Sequence, residues 1–439
     1  MGLTPSTVDP PGLEVRRLAA QLLRACLDQR LTVEDAIQAS PRAARLEPRD
    51  RAFLTSLLLT VFRHRGEIDA ALHQFLDRPL PRKSGPARDL LELGAAQLLF
   101  LGVPPHAVID SAVGAAKADR SALHFAGLIN AVLRRIAGSG TSLLARPDAP
   151  RLNTPSWLWE RWSENYGSAA ALEIAKAHAE RPSLDISFKD GSGVWQDQRL
   201  AIPLPNGQLR LAPGHAPVAE LPGFNEGAWW IQDAAATIPV RLLGDLRGRD
   251  VLDLCAAPGG KTMQMAAMGA NVTAADASEK RLSRLRENLA RTRLSAEVLL
   301  ADVLTTSFRP TWDAVLLDAP CSATGTIRRH PELPWIRQEG QIAELAALQR
   351  RMLAKAAELV RPGGLLLYCT CSLEPEEGEW QVRRFLTGNM EFQIVPASLP
   401  DLPQGAIAPE GWVRILPAMS YGGSKGMDGF FAAVMKRQS

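Results

Sequence analysis

The stretch VLDLCAAPGGKT, residues 251–262, runs from an apolar tetrad with one acidic residue through small residues into Lys261-Thr262. It reads as a buried strand over Val251–Cys255, a tight turn and the start of a helix. The same rhythm continues downstream. Short apolar runs at Asn271–Asp276, Ala296–Leu300, Ala314–Asp318 and Gly364–Thr370 alternate with helical stretches such as 279–292 and 342–360. Strand, turn and helix in alternation predict a parallel, doubly wound α/β sheet, with ligands at the carboxyl ends of its strands.

Upstream the pattern changes. From about Leu13 to Gly138 apolar residues recur at three- and four-residue spacing: Leu18, Leu22, Leu23, Cys26 and Leu27, then Phe53, Leu57, Leu58 and Phe62. Such spacing predicts an all-helical bundle. GTSLLARPDAPRLN (140–153) breaks the period and reads as a linker. A small α+β connector follows: helical SWLWERWSENYG and SAAALEIAKAHAE, then extended LDISF, LAIPL and QLRLA, ending near Trp230. The expected domains are 1–145, 146–235 and 236–439.

Composition bounds the function. At 439 residues, 22% charged and 46% hydrophobic, the chain has room for two or three domains. No stretch is apolar enough to cross a bilayer, and MGLTPSTVDPPGLEVRR lacks the apolar core of a leader, so a cytoplasmic protein without membrane association is expected. The net charge is +3, and residues 1–145 carry 18 Lys+Arg against 14 Asp+Glu. That excess is compatible with a phosphate backbone but does not require one. Five cysteines without a C-x-x-C argue for reduced thiols. Cys369 and Cys371 are expected on opposite faces of their strand, a poor geometry for one ion, so no metal is expected.

The candidate chemistry sits at the strand ends. In Cys255-Ala256-Ala257-Pro258-Gly259-Gly260-Lys261 small residues admit a ligand close to the backbone, and the amides opening a helix favour polar or negative groups. The spacing matches neither the dinucleotide nor the phosphate-loop glycine pattern, and a purely structural turn is the alternative. Asp276 ends the second strand, where a carboxylate accepts hydrogen bonds from ribose hydroxyls, and Asp302 follows the third, placed to hold a base or its amine. Either alone reads equally as a helix cap; with the turn they describe an adenosine pocket. DAPCSATGT (318–326) puts Asp318 and Cys321 on a proline-stiffened loop, and YCTCS (368–372) brings Cys371 to the same rim. Inert packing is the alternative for any one of these thiols. Arg328, Arg329 and His330 offer phosphate contacts or solvated charge, and Trp229 and Trp230 a stacking platform or core.

DLCAAPGGKT, DAPCSATGT and YCTCS, in this order, resemble the S-adenosylmethionine-dependent RNA cytosine-5 methyltransferases of the NOL/NOP/Sun family. RDRAFLTSLLLTVFRHRGEID, FLDRPLP, LELGAAQLLFLGVP and INAVLRRIA resemble the NusB-like RNA-binding domain of one branch, which acts on small-subunit rRNA. LPGFNEGAWWIQDAAA, TGTIRRHPELPW and DGFFAAVMK extend the likeness over nearly the whole chain. The resemblance implies a NusB-like all-α bundle, a reduced ferredoxin- or RRM-like connector and a Rossmann-like class I methyltransferase domain. It implies that Cys371 adds to cytosine carbon 6, that Asp318 binds ring nitrogen 3 and the amine, and that Cys321 assists loss of the carbon 5 proton. It places S-adenosylmethionine against Cys255–Lys261, Asp276, Asp302 and Asp318. DNA cytosine-5 methyltransferases use a Pro-Cys nucleophile, which here is Cys321, so the division of labour follows from the family rather than from the spacing. The connector LDISFKDGSGVWQDQRLAIPLPNGQ is shorter than usual and lacks an Arg-Val-Asn triplet, and Cys369 replaces a smaller residue as packing. A monomer acting on rRNA is expected. The rivals are a tRNA or large-subunit rRNA methyltransferase and a non-catalytic ribosome-assembly factor.

Overall fold

The computed structural model describes residues 12–81, 83–144, 146–190, 201–211, 215–308 and 311–439. The stretch read for a leader, up to residue 11, and the middle of the connector, 191–200, lie outside them. The chain forms two compact units, one reaching Ala179 and including His330–Arg337, the other holding Glu180–Arg329 and Gln338–Ser439. None of the described helices is long and apolar enough to cross a membrane.

The first unit is all helical. Its core packs the helices Leu13–Gln29, Pro48–Arg63, Ala87–Leu99, Pro105–Ala118 and Ala126–Ser139 through one apolar cluster. The spaced residues of the sequence point inward: Leu18, Leu23 and Cys26 meet Leu54, Leu57, Leu58 and Phe62. Helix starts are marked locally by Pro at Pro48 and Pro105 and by Thr32, whose hydroxyl accepts from the Asp35 amide. The pair Ser156–Tyr166 and Ser168–Ala179 falls with these helices: Trp162 is buried edge-on to His178, and Arg63 donates to the His178 carbonyl at 3.1 Å. His330–Arg337 joins them from far along the chain. Trp335 Nε1 donates to the Phe62 carbonyl at 2.9 Å, and buried Glu332 accepts from the Val33 amide at 3.2 Å.

The second unit carries two sheets. The connector strands β1 (Leu184–Phe188), β2 (Ala201–Pro203), β3 (Leu209–Leu211) and β4 (Trp229–Ile231) pair antiparallel in the order β2-β3-β1-β4. Trp229 and Trp230 are buried in two apolar clusters, so of their two readings the structure has the core one.

The large sheet contains β5 (Asp250–Leu254), β6 (Asn271–Asp276), β7 (Glu297–Leu300), β8 (Trp312–Asp318), β9 (Val360–Thr370), β10 (Phe392–Val395) and β11 (Val413–Ile415). After the β12–β13 ribbon (Ser420–Tyr421, Ser424–Lys425) the chain returns as β14 (Phe430–Arg437), giving the order β10-β14-β9-β8-β5-β6-β7. The five expected strands are parallel, but β14 runs antiparallel between β9 and β10, so the sheet is mixed rather than parallel throughout. An apolar run such as FFAAVMKR signals burial on both faces and carries no direction. Successive residues feed opposite layers: Leu252, Val315 and Leu366 enter one core, Val251, Ala314 and Leu367 the other.

That period also corrects the expectation for the paired cysteines. Residues two apart share a face, and Cys369 and Cys371 pack against the same layer. The argument against a metal from opposed faces therefore falls. Among the described residues no three His, Cys, Asp or Glu side chains gather as ligands would.

A buried ion network ties the connector to the sheet. Arg210 and Asp185 form a two-point bridge at 2.7 and 2.9 Å, and Asp185 also accepts from the Ala234 amide. Asp233 accepts from Arg329 at 2.5 Å and from the Asp428 amide, while Arg329 Nε reaches Asp428 at 2.8 Å. Arg329 is thus bound internally, neither offered to phosphate nor solvated, the two readings the sequence left open, and Arg328 is buried beside it. Replacing Arg329 by Ala leaves two carboxylates facing each other without their cation. A loss of about 3–5 kcal/mol in the unfolding free energy of this unit is expected in urea titrations.

Candidate active site

The carboxyl ends of β5, β6, β8 and β9 form one rim, and the turn after β5 is its centre. Cys255 sits at φ +61 and Gly259 at φ +104, and the helix Gly260–Ala267 starts directly after. A side chain on Gly259 would crowd Leu285 at 3.0 Å, so glycine is needed both for its angle and for its neighbour. Below the turn Asp253 is fully buried. Its Oδ2 accepts from Thr262 Oγ1 at 2.6 Å, and its Oδ1 has no hydrogen-bond partner. Burial pushes this carboxyl up to about 7. Burial, then the Asp318 and Asp276 carboxylates, push the Cys255 thiol up to about 12.

Asp276 ends β6 and braces the turn: Oδ2 accepts from the Ala257 amide at 3.2 Å and Oδ1 from the Ser278 amide at 2.9 Å. The cap of the helix Glu279–Thr292 is Ser278 rather than Asp276. Asp302, past the end of β7, is exposed, with its Oδ1 accepting from the Leu304 amide in a local turn.

From the helix after the turn Lys261 reaches across to β8. Its Nζ donates to Asp318 Oδ2 at 2.8 Å and lies 4.8 Å from the Phe430 ring centre. Burial alone would lower this amine, but Asp318 overrides it and holds the ammonium above its ordinary range. Cys369, expected as packing only, points its thiol to Asp318 Oδ1 at 3.6 Å. Asp318 is therefore held from two sides. Sequence reasoning missed Asp253, Cys369 and Phe430 as parts of the site; the first two lay inside quoted motifs, the third only in the terminal run.

The two remaining thiols meet. Cys321 Sγ and Cys371 Sγ are 3.5 Å apart and both partly exposed. The hydrogen bond with Cys371 and then burial push Cys321 well above the ordinary thiol range. Their loops are pinned backbone to backbone. The Gly325 amide donates to the Cys371 carbonyl at 2.9 Å, and the Gly429 amide to the Gly325 carbonyl at 2.7 Å. A Cβ at position 325 would stand 2.1 Å from the Gly429 oxygen, and Ala323 is held at φ +60.

Comparison with known proteins fits this arrangement. The family described as 16S rRNA methyltransferase RsmB/F matches residues 241–436, and the NusB family matches residues 13–138. Ribosomal RNA small subunit methyltransferase B of Pasteurella multocida is 34% identical over 97% of this chain and 96% of its own length. The Cronobacter sakazakii protein of the same name is 35% identical over 96% of this chain and 98% of its own. In fold, the crystal structure of PH0851 covers 98% of this chain and all of its own, with TM-score 0.75 and 24% identity.

Asp253 sets a pH dependence. A carboxyl near 7 in the folded state and near 3.9 in the unfolded chain binds its proton more tightly when folded. Its contribution is therefore full below pH 4 and is lost as pH rises through 7. Asp253→Asn does not titrate, so its stability relative to the native protein should rise by a few kcal/mol between pH 4 and 7 and then level off, as read from urea midpoints at successive pH values.

Proposed function

The chain belongs to the 16S rRNA methyltransferase RsmB/F family, and from that membership we propose that it methylates carbon 5 of a cytosine in small-subunit rRNA through a covalent bond to Cys371. The observation that carries this reading is the pair of thiols 3.5 Å apart beside the Lys261–Asp318 ion pair. Carbon 5 of cytosine is a poor nucleophile until a thiolate adds to carbon 6. Cys371, its proton given up to solvent, makes that addition. Cys321, kept as a thiol, donates its proton in a hydrogen bond to the Cys371 thiolate beforehand. Asp318 accepts from the exocyclic amine and, once thiolate addition has made ring nitrogen 3 basic enough to take a proton from solvent, from that N–H, and the Lys261 ammonium beside it offsets charge developing on the ring.

S-adenosylmethionine, when bound, supplies a methyl group made electrophilic by its sulfonium. The cradle fits it: small residues at Ala256, Ala257, Gly259 and Gly260 admit the ligand to the backbone, and Asp253 Oδ1 is a buried acceptor without a partner in the chain. Cys255–Lys261, Asp276, Asp302 and Asp318 are the residues that would hold it. Once carbon 5 carries the methyl group, its proton must leave. Once Cys371 is bonded to the ring, Cys321 no longer donates to a thiolate; it gives its own proton to solvent and then accepts the carbon 5 proton as a base, returning to the thiol. The carbon–sulfur bond then breaks, the ring recovers its aromaticity and Cys371 is released. The reaction belongs in the cytoplasm with its RNA, which the NusB-like helical unit helps to bind.

Purified protein incubated with methyl-labelled S-adenosylmethionine and unmodified small-subunit rRNA should place label on cytosine carbon 5. Cys371→Ala should reduce incorporation at least a thousandfold, a magnitude typical of a lost nucleophile. Cys321→Ala should accumulate a protein–RNA adduct that survives denaturing electrophoresis. Adduct from the Cys371 variant instead would exchange the two roles, and no incorporation by the native protein would refute the reading.

A further inference from the structure

We propose that Glu377 is a positioning residue that sets the two thiols of the site against each other. The inference rests on the cysteine-addition reading above and assigns a role to a carboxylate that lies in none of its motifs. Glu377 ends the short turn Pro375–Glu377 and is fully buried. Its Oε1 accepts from the Ser322 amide at 2.9 Å and from Gln349 Nε2 at 3.0 Å. Its Oε2 accepts from Ser322 Oγ and Ser372 Oγ, each at 2.5 Å. Ser322 follows Cys321, and Ser372 follows Cys371.

The other neighbours of the two cysteines are drawn to the same residue. Gln349 Nε2 also donates to the carbonyl of Pro320, which precedes Cys321, at 2.9 Å. The hydroxyl of Thr370, which precedes Cys371, donates to the Glu377 carbonyl at 3.3 Å, and Tyr368 donates to that carbonyl at 2.7 Å. Every residue adjacent to either thiol is thereby tied to Glu377, directly or through Gln349. Four donors converge on two oxygens, and of the side chains that fit only an ionised carboxylate accepts all four. An amide would set its own N–H against one of these donors and force the serines to turn.

The consequence follows from how sharply such chemistry depends on distance. A reacting group misplaced by about 1 Å costs on the order of a hundredfold in rate. Two thiols on separate loops keep a 3.5 Å separation only if both loops are held to a common point. Gly325 and Cys371 supply a backbone tie, the Leu373 amide donates to Thr324 Oγ1 at 2.9 Å and the two serine hydroxyls lie 3.1 Å apart, and Glu377 adds the carboxylate that grips both serines. Glu377 makes no hydrogen bond to either sulfur, so it acts through the loops. Its charge also lies near enough to Cys321 to help keep that thiol protonated.

The test uses the full-length protein and two readouts. The first is steady-state methyl transfer, with kcat and KM separated. The second needs no RNA: the rate at which diamide, by accepting two electrons and two protons, closes a Cys321–Cys371 disulfide, followed by peptide mapping. Glu377→Gln should lower kcat about 30- to 100-fold with KM for both substrates within about twofold, and should slow disulfide closure about tenfold. In a Ser322→Ala/Ser372→Ala background, which should itself reproduce most of the loss, Glu377→Gln should add less than about threefold. Closure and kcat within about twofold of native in Glu377→Gln would overturn the proposal. If that variant does not fold, the same result in the double serine variant would overturn it. A native protein that closes the disulfide readily but transfers no methyl to cytosine would refute the function proposed above, and the role of Glu377 would then be decided by the closure rates alone.

Discussion

The register that pairs Asp318 with Cys369 across β8 and β9 decides where every other reactive group can be. Side chains alternate along a strand, so a slip of one residue would send Asp318 into the opposite layer and part it from Lys261. Leu317 and Tyr368, one step earlier, are buried core, which makes such a slip expensive. β8 ends at Asp318 and β9 one residue past Cys369, at Thr370, and each loop carries its cysteine within three residues of the pair. The thiols meet because two adjacent parallel strands end level and their loops fold toward each other rather than apart.

Holding those loops falls to charges and polar groups removed from water, which is costly unless every partner is satisfied. Lys261 with Asp318, Arg329 with Asp233 and Asp428, and Glu377 with its four donors each join segments far apart in sequence. Well-packed apolar contacts would stabilise the fold as well, but they do not orient a loop to within a fraction of an ångström. Hydrogen-bonded pairs do, because a donor has a direction. Arg414 shows the same use: it grips Glu379 with two nitrogens while a third donates to the Ser372 carbonyl beside Cys371.

Much of the fold was legible because apolar periodicity is a local signal. The helical front, the strands from β5 to β9 and the glycine turn could each be read from short windows. What escaped depends on partners elsewhere. The antiparallel insertion of β14 leaves no trace in FFAAVMKR, since burial on both faces looks alike in either direction. Arg329 in TGTIRRHPELPW looks like an RNA contact until Asp233 and Asp428 arrive from either side. Glu377 sits in LEPEEGEW, which reads as a polar surface turn, and nothing near it hints at total burial.

The chain alone determined which chemistry is available: two thiols, a carboxylate and a small-residue turn at strand ends, because residue type and strand position are both written locally. Only the tertiary structure decided the relations among them. It set the sulfur–sulfur distance, gave Asp318 its lysine and its second thiol neighbour, and left one oxygen of Asp253 without a partner beneath the turn. Distances between groups some fifty residues apart are fixed by sheet register and buried hydrogen bonds, and neither is a property of any short stretch of sequence.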